Sequence, residues 1–283
     1  MGYSLGALKF ASVLLRIFWV VGLTLLTQIG GLLYLCYFFG LRKWLRARYG
    51  ELALWKRGLA FGSFYALVSL LLIPLIASQL GRVPIPLFSS PQQAIQPASI
   101  LTCLSNRHYV RPQLKQLALE VSREVRKQIP DFRMVYLDAN FPFWNGFPLL
   151  PHRSHDDGEK LDIAFIYHDS DGRLTNATPS ILGYGICEEP RQGERDQAAI
   201  CARKGYWQYS LLQQMTFGWW REKYIFDKDK TRILLETLAR RKEMGKIFIE
   251  PHLVQRLKLQ QYPKIRFHGC PAVRHDDHIH FQL

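Results

Sequence analysis

The stretch PHRSHDDGEKLDIAF, from Pro151 to Phe165, decides what kind of domain this chain contains. It places His152 and His155 just before Gly158, and Asp162 near the start of an apolar run that is typical of a buried strand. A carboxylate in such a strand is costly unless it is paired or binds a metal. The stretch therefore predicts a buried site made of imidazole and carboxylate groups.

The end of the chain, RHDDHIHFQL from Arg274, holds a second histidine cluster. The alternation His278, Ile279, His280 predicts a strand, and strand residues two apart point to the same face. Two imidazoles would then face one pocket. Two histidines and one carboxylate form a common hydrolytic zinc set, because three protein ligands leave a fourth position for water. Such donors suit Zn²⁺ better than Mg²⁺ or Ca²⁺, and other transition metals stay open.

Two long uncharged runs precede both clusters, over residues 17–40 and 59–79. Each is long enough to cross ~30 Å of hydrocarbon as a helix. Between them, residues 41–58 carry six Lys or Arg against one Glu, and short basic loops stay in the cytoplasm. We therefore predict a transmembrane hairpin over residues 1–81. The first run is too long for a cleaved signal peptide, and a second run follows it.

After the hairpin, residues 82–100 are rich in Pro, Ser and Gln and show no periodicity, which predicts a linker. Residues 101–283 then form one globular domain. Half of the net charge of +14 belongs to the hairpin, and the basic residues of the domain are scattered among acidic ones. Because no zinc-finger, helix-turn-helix or RNP-like pattern is present, we expect no nucleic-acid partner.

The cysteines fit an oxidising compartment. Cys36 lies within the first predicted span, which leaves an even number in the domain: Cys103, Cys187, Cys201 and Cys270. Four cysteines allow three pairings, and the sequence alone does not choose among them. Our hypothesis pairs Cys187 with Cys201, across a polar loop, and Cys103 with Cys270, which would tie the two ends of the domain.

At this point the sequence resembles a known family. The patterns H-x6-D and H-x-H are similar to those of the LAS-type zinc peptidases, and closest to penicillin-insensitive murein endopeptidase. The first cluster matches the family's HxSHxxG stretch, with Asp162 at the expected place, and the second matches its HxxHxH ending. Segments beginning at Asn106 and Leu234 are also similar, so the likeness covers about residues 103–283. The hairpin is not part of the family pattern.

The resemblance implies two groups of site residues. The zinc ligands would be His155, Asp162 and His280. The catalytic residues would be His278, His275 and His152. His278 would act as general base and acid, whereas His275 or His152 would stabilise a developing oxyanion or orient a ligand. The expected fold is α+β, with a small mostly antiparallel sheet and packed helices behind a two-helix transmembrane hairpin.

These expectations lead to a membrane-anchored zinc metallopeptidase in a bacterial inner membrane. Its periplasmic domain would hydrolyse amide bonds in peptidoglycan stem peptides or cross-links. Residues 138–155 differ from the glycine-rich approach of typical family members, which motivates an alternative: a zinc peptidase or amidase acting on another periplasmic peptide or protein. A non-catalytic membrane scaffold is the third possibility. The chain has no HExxH helix, GxSxG elbow or P-loop.

Overall fold

The computed structural model describes residues 5–216 and 224–283. Helices dominate the N-terminal part, and a mixed α+β domain follows. The helices are α1 (Leu5–Thr27), α2 (Gly30–Cys36), α3 (Arg42–Tyr49), α4 (Leu54–Leu67), α5 (Ile73–Gln79), α6 (Ile100–Leu104), α7 (Pro112–Gln128), α8 (Gln197–Arg203), α9 (Leu211–Met215), α10 (Lys228–Ala239) and α11 (Pro251–Arg256). The strands are β1 (Val83–Pro84), β2 (Ile95–Pro97), β3 (Tyr109–Val110), β4 (Met134–Tyr136), β5 (Lys160–Ala164), β6 (Tyr167–His168), β7 (Leu174–Thr175), β8 (Ile225–Phe226), β9 (Lys246–Phe248), β10 (Ile265–Arg266) and β11 (His278–Gln282).

The first predicted span, residues 17–40, is not one helix. α1 ends at Thr27, Gln28 adopts a left-handed φ of 68°, and α2 starts at Gly30. The side-chain oxygen of Gln28 accepts a hydrogen bond from the backbone N–H of Phe143 in the domain, at 2.9 Å. This contact stabilises a reversal of the chain direction between α1 and α2. The uninterrupted apolar composition of residues 17–40 gives no sign of that reversal.

The two helices of this reversal run back along each other. The guanidinium of Arg16 on α1 lies 4.5 Å above the ring of Phe38, which follows α2. A Cβ built on Gly31 would lie 2.4 Å from the carbonyl oxygen of Val20. The absence of a side chain at Gly31 therefore permits the close approach of α2 to α1.

Two helical stretches, Phe10–Thr27 and Leu54–Gln79, are long and apolar enough to cross a membrane. The second is continuous, because a π-helical turn at Val68–Leu72 joins α4 to α5. It contains the predicted span 59–79, and the expectation of one long apolar helix there is confirmed. A second π-helical turn, Tyr37–Leu41, joins α2 to α3.

Within the described residues, the main sheet has six strands in the order β10-β9-β11-β5-β4-β2. Its three inner pairings are antiparallel, whereas β10 with β9 and β2 with β4 are parallel. A second sheet has the order β7-β6-β8, and β1 pairs with β3. The predicted α+β class is confirmed, with a mixed sheet whose centre is antiparallel.

Residues 82–100 belong to the domain and are not the predicted linker. They contribute the edge strand β2 to the main sheet, and Ile85 and Ile95 are buried in the main core. Arg82 is also buried, and its guanidinium donates to the side-chain oxygen of Asn145 at 2.5 Å. Strands of two or three residues are too short to produce a period-two pattern, so composition alone suggests a tether.

The main core lies between the sheet and two amphipathic helices. On α7, Leu114, Leu117 and Val121 are buried, at the spacing of one helix face. α10 packs beside α7, and it is capped by Asp227, whose carboxylate accepts from the backbone N–H of Lys230 at 3.0 Å. These two helices therefore support the central strands β5 and β11 through the hydrophobic core.

Both predicted disulfides are wrong. Cys201 on α8 is bonded to Cys270, with their Cα atoms 5.3 Å apart. Cys103 lies on α6, which contacts the edge strand β2, and its Sγ is 3.3 Å from the hydroxyl of Tyr136. Cys270 follows β10, at the opposite edge of the same sheet. A bond between Cys103 and Cys270 would have to reach across the whole sheet, and the bond between Cys201 and Cys270 excludes one between Cys201 and Cys187.

Candidate metal centre

A tight turn before β5 carries His155 over the sheet. Gly158 has a φ of 88°, which favours glycine, and its Cβ would lie 3.1 Å from Cγ of Arg111. The backbone N–H of Gly158 donates to the side-chain oxygen of Asn140 at 3.0 Å, and its carbonyl accepts from the backbone N–H of Arg111 at 2.8 Å. These bonds hold the turn and therefore the approach of His155 to Asp162.

The pairing of β5 with β11 brings the two sequence clusters together. Its register places His280 opposite Asp162 and His278 opposite Ala164. The strand predicted at residues 278–281 is confirmed, and the two imidazoles share one face because they lie two residues apart. Residues 118 positions apart in the chain thus become direct neighbours.

Three nitrogen and oxygen atoms converge at this point. Nδ1 of His280 lies 2.8 Å from Oδ1 of Asp162 and 3.0 Å from Nε2 of His155. Nε2 of His155 lies 3.2 Å from the same carboxylate oxygen. All three residues are buried, and the group is able to hold a metal ion.

The other carboxylate oxygen of Asp162 has its own neighbours. Oδ2 accepts a hydrogen bond from the hydroxyl of Tyr184 at 2.8 Å. Nδ1 of His152 lies 3.3 Å away and Nε2 of His278 lies 3.7 Å away, so these residues form a second possible metal group around Asp162. The donor atoms of this second group lie farther apart than those of the first. Its carboxylate oxygen, Oδ2 of Asp162, already accepts the hydrogen bond from Tyr184.

Hydrogen bonds on the outer side of the rings determine which nitrogen carries a proton. Nδ1 of His155 lies 2.6 Å from the carbonyl oxygen of Ala139, so it donates there and leaves the Nε2 lone pair facing Asp162. Nδ1 of His278 contacts Oδ1 of Asp277. The other oxygen of Asp277 accepts from the backbone N–H of Gly185 at 2.6 Å, which orients the carboxylate.

Charges in the site favour unprotonated ligand atoms at neutral pH. Burial alone would raise the pKa of Asp162, but the nearby imidazoles of His155, His278 and His152 hold it well below its usual value. Burial lowers the pKa of His280 to about 4, against the opposing effect of Asp162. Metal binding requires deprotonated ligands, and this environment supplies them.

The two remaining histidines of the second cluster differ in charge. Burial would lower the pKa of His278, but the carboxylates of Asp277 and Asp162 raise it to about 9. A cation held by Asp162 would offset part of that effect. Burial, followed by the charges of His278 and His280, lowers the pKa of His275 well below its usual value. His275 is therefore neutral at pH 7.

Several buried ring nitrogens of the site have no hydrogen-bond partner among the described residues. They are Nε2 of His152, Nε2 of His278 and Nε2 of His280. Buried polar atoms are normally hydrogen-bonded, and unpaired ones are typical of sites that bind a ligand, ion or water. The site thus has capacity beyond its internal hydrogen bonds.

All six predicted site residues come together, and sequence reasoning missed one close neighbour. The rings of His152 and His275 lie 5.6 Å and 4.9 Å from that of His278, between centroids. Tyr184, which donates to Asp162, lies in a stretch without regular periodicity, where no local pattern marks it. Asp277, which contacts Nδ1 of His278, is adjacent to it in the sequence.

No protein-family model matches this chain, and no curated protein matches it either. The resemblance to LAS-type peptidases accordingly stays a prediction.

Proposed function

We propose that this chain is a membrane-anchored, zinc-dependent peptidase that hydrolyses amide bonds in peptidoglycan stem peptides or cross-links. The observation that carries the proposal is the convergence of Nε2 of His155, Oδ1 of Asp162 and Nδ1 of His280 within 3.2 Å of one another. The carbonyl oxygen of Ala139 accepts a hydrogen bond from the other ring nitrogen of His155. His152 and His278 lie beside these three residues.

Zinc fits these donors. Tetrahedral Zn²⁺ with ligand distances of 2.0–2.2 Å requires neighbouring donor atoms to lie about 3.3–3.6 Å apart. The three separations are 2.8, 3.0 and 3.2 Å, so the side chains would have to move slightly apart to hold the ion. Two neutral imidazoles and one carboxylate also match the donor chemistry of a catalytic zinc site, which keeps one position for water or substrate.

A bound zinc ion supplies Lewis acidity, which polarises an amide carbonyl and makes water acidic enough to attack near neutral pH. His278 acts as general base and general acid in this proposal. Without a cation at Asp162 the pKa of His278 is about 9, so its ring is protonated at pH 7. A cation held by Asp162 would lower that pKa and free Nε2, the nitrogen that Asp277 does not contact, to accept a proton from water and return it to the leaving amine. Proton transfer by a positioned histidine contributes about 10²–10⁴-fold to the rate.

His152 and His275 have supporting roles in this proposal. Nδ1 of His152 lies 3.3 Å from carboxylate oxygens of both Asp138 and Asp162, so in the doubly protonated ring Nδ1 would donate to them and the unpaired Nε2 would donate to a developing oxyanion. His275 is neutral and packs against His278. It therefore orients the ring of His278 and does not supply a positive charge.

The location is part of the same proposal. Helices over Phe10–Thr27 and Leu54–Gln79 would anchor the chain in a bacterial inner membrane. The basic residues 41–58 would stay in the cytoplasm by the positive-inside rule. The domain, which follows the second long helix, would then lie in the periplasm, where a Cys201–Cys270 disulfide is compatible with the redox conditions.

The test uses the full chain, because Tyr109 of the domain shares a buried cluster with Ile73 and Ala77 of α5. The detergent-solubilised protein is incubated with purified peptidoglycan, and the released muropeptides are separated by chromatography. We expect cross-linked dimers to fall to monomers with the wild type. A chelated sample and the His280→Ala variant should show no change.

An inactive wild type that binds zinc stoichiometrically would exclude peptidoglycan as the substrate. Digestion of peptide libraries by the same sample would then favour the alternative, a peptidase or amidase for another periplasmic peptide. A chain that binds no zinc would overturn the proposed chemistry altogether.

A further inference from the structure

The domain docks along the middle of the long helix formed by α4 and α5. The hydroxyl of Tyr65 donates to the carbonyl of Leu104 at 2.6 Å, and the side-chain nitrogen of Asn106 donates to Tyr65 at 3.0 Å. Asn106 also lies 3.5 Å from the hydroxyl of Ser69, and both Asn106 and Ser69 are fully buried. A polar seam therefore joins this helix to α6 and the residues after it.

The seam lies at the centre of the apolar part of the helix. Residues 58–81 carry no charged side chain, and Ser69 lies near their midpoint. At 1.5 Å per residue, Ser69 is about 18 Å from Arg57 and about 20 Å from Arg82. α6, part of the domain that we place in the periplasm, is therefore held directly against a helix long enough to cross the ~30 Å hydrocarbon layer.

The same helix α6 lines a cavity of about 510 Å³. Among the aliphatic residues that line it, Leu101 is 50%, Ile181 57% and Leu182 51% exposed. The buried lining residues, which form the inner end of the cavity, include Asp138 and Tyr184. Both residues touch the metal centre, through His152 and Asp162 respectively.

α6 thus both lines the cavity and contacts the long apolar helix. The exposed lining residues are aliphatic, and the buried lining residues contact the candidate metal site. Volumes of 300–1,000 Å³ suit a ligand of lipid or drug size. Apolar side chains exposed to this extent are stabilised by contact with hydrocarbon rather than water. The cation Arg107 in the lining is neutralised by Asp138 at 2.7 Å, so the inner end carries no excess charge.

We propose that this cavity binds the aliphatic chain of a membrane-attached amphiphile, and that the substrate is a peptide amide carried on such a lipid chain. The second part rests on the proposed function, whereas binding of the chain does not. In the reaction, one water molecule is consumed as the C–N bond breaks, and the products are a carboxylate and an amine. The lipid chain remains on one of the two products and stays in the bilayer.

Photolabelling tests the binding of the chain without requiring catalysis. The full chain is reconstituted in phosphatidylcholine vesicles that contain a trace of phospholipid with a diazirine in its acyl chain. After irradiation, labelled peptides are mapped by mass spectrometry. We expect labels on the segments that contain Leu101 and Ile181, in addition to the two long apolar helices. Labels confined to residues 10–79 would overturn the inference.

A pair of arginine variants, one inside the cavity and one outside it, tests the position of the lipid chain. Leu182→Arg should reduce labelling of the cavity segments about tenfold, because a guanidinium in a hydrocarbon environment is costly. Ile225→Arg, at an equally exposed position outside the cavity, should leave labelling unchanged. Should Leu182→Arg fail to fold, Ile181→Asp carries the same expectation. Equal labelling in all properly folded variants would contradict the proposal.

The metal-site variant His280→Ala separates this inference from the proposed function. Its cavity segments should be labelled as in the wild type, although it binds no zinc. A wild type that binds no zinc but whose cavity segments are labelled would overturn the proposed function only. Zinc-dependent hydrolysis of wall peptides without cavity labelling would overturn the lipid site only.

Discussion

Asp162 and His280 face each other across β5 and β11, with Nδ1 of His280 2.8 Å from Oδ1 of Asp162. Both side chains are buried, and the pKa of each favours the unprotonated form at pH 7. The neutral ring of His280 keeps one proton, on Nδ1 or on Nε2. When the proton is on Nε2, Nδ1 and Oδ1 are both acceptors and repel each other unless a cation lies between them. This pair is the centre of the proposed zinc site.

The first prediction concerns the number of ions. His280→Ala should remove a ligand and weaken zinc binding by more than the 10–100-fold that is typical of outer contacts. His152→Ala should keep one ion per chain, because His152 belongs to the wider of the two groups around Asp162. Elemental analysis after dialysis measures both. Two ions in the wild type, with one lost in His152→Ala, would show that both groups bind metal.

The second prediction concerns Tyr184. Its hydroxyl donates to the carboxylate of Asp162 at 2.8 Å, so Tyr184→Phe should lower zinc affinity by about 10–100-fold while the stoichiometry at saturation stays at one. Competition with a chromogenic chelator measures the change. Tyr262→Phe, which alters a surface hydroxyl bonded to Arg240, is the matched control. An unchanged affinity in Tyr184→Phe would mean that its hydrogen bond has no role in the site.

The third prediction concerns Asp277, which contacts Nδ1 of His278. Asp277→Asn removes the charge that orients the ring and selects its tautomer, so kcat should fall by about 10²–10⁴-fold with zinc content unchanged. Steady-state kinetics on the substrate found by muropeptide analysis give kcat. A fall in bound zinc that parallels the loss of activity would instead assign Asp277 to metal retention.

The fourth prediction concerns stability and pH. Burial, followed by the charge of Asp276, raises the pKa of Glu250 from 4.5 to about 7. The folded state therefore binds this proton more tightly than the unfolded state. Its stabilisation is full below about pH 4.5 and is lost as the pH rises to about 7. The loss for a shift of this size is on the order of 3 kcal/mol of unfolding free energy.

Glu250→Gln tests this directly. The glutamine keeps an acceptor for the hydroxyl of Tyr209 and for the backbone N–H of His275, but it does not ionise. The apparent melting temperature of the variant should fall less than that of the wild type between pH 5 and pH 7.5, a window set by this titration. Glu243→Gln, at an exposed position, should follow the wild type. Parallel curves for Glu250→Gln and wild type would refute the assignment.

The candidate site was predictable because its signals are local. HxH on an alternating stretch puts His278 and His280 on one face of a strand, whatever surrounds it. His155 and Asp162 are joined by a turn with a glycine at a positive φ. Tyr184 was not predictable, because it reaches Asp162 from a stretch whose path depends on the rest of the domain.

The errors in the N-terminal part have a common cause. Apolar composition is the same for one long helix and for two helices joined by a reversal, so the break at Gln28 leaves no mark in hydropathy. Residues 82–100 contain strands too short to show alternation. The cysteine hypothesis failed for a similar reason, since distance in the chain does not report which edge of the sheet a residue occupies.

The sequence by itself determined the chemistry of the donors, the two strands that carry them and the presence of long apolar segments, because side-chain type and periodicity are properties of short stretches of chain. Only the tertiary structure decided the Cys201–Cys270 bond, the contact of Tyr184 with Asp162 and the docking of α6 against the long apolar helix formed by α4 and α5. Each of these joins residues far apart in the chain, and their separation in space depends on how the whole sheet pairs and packs.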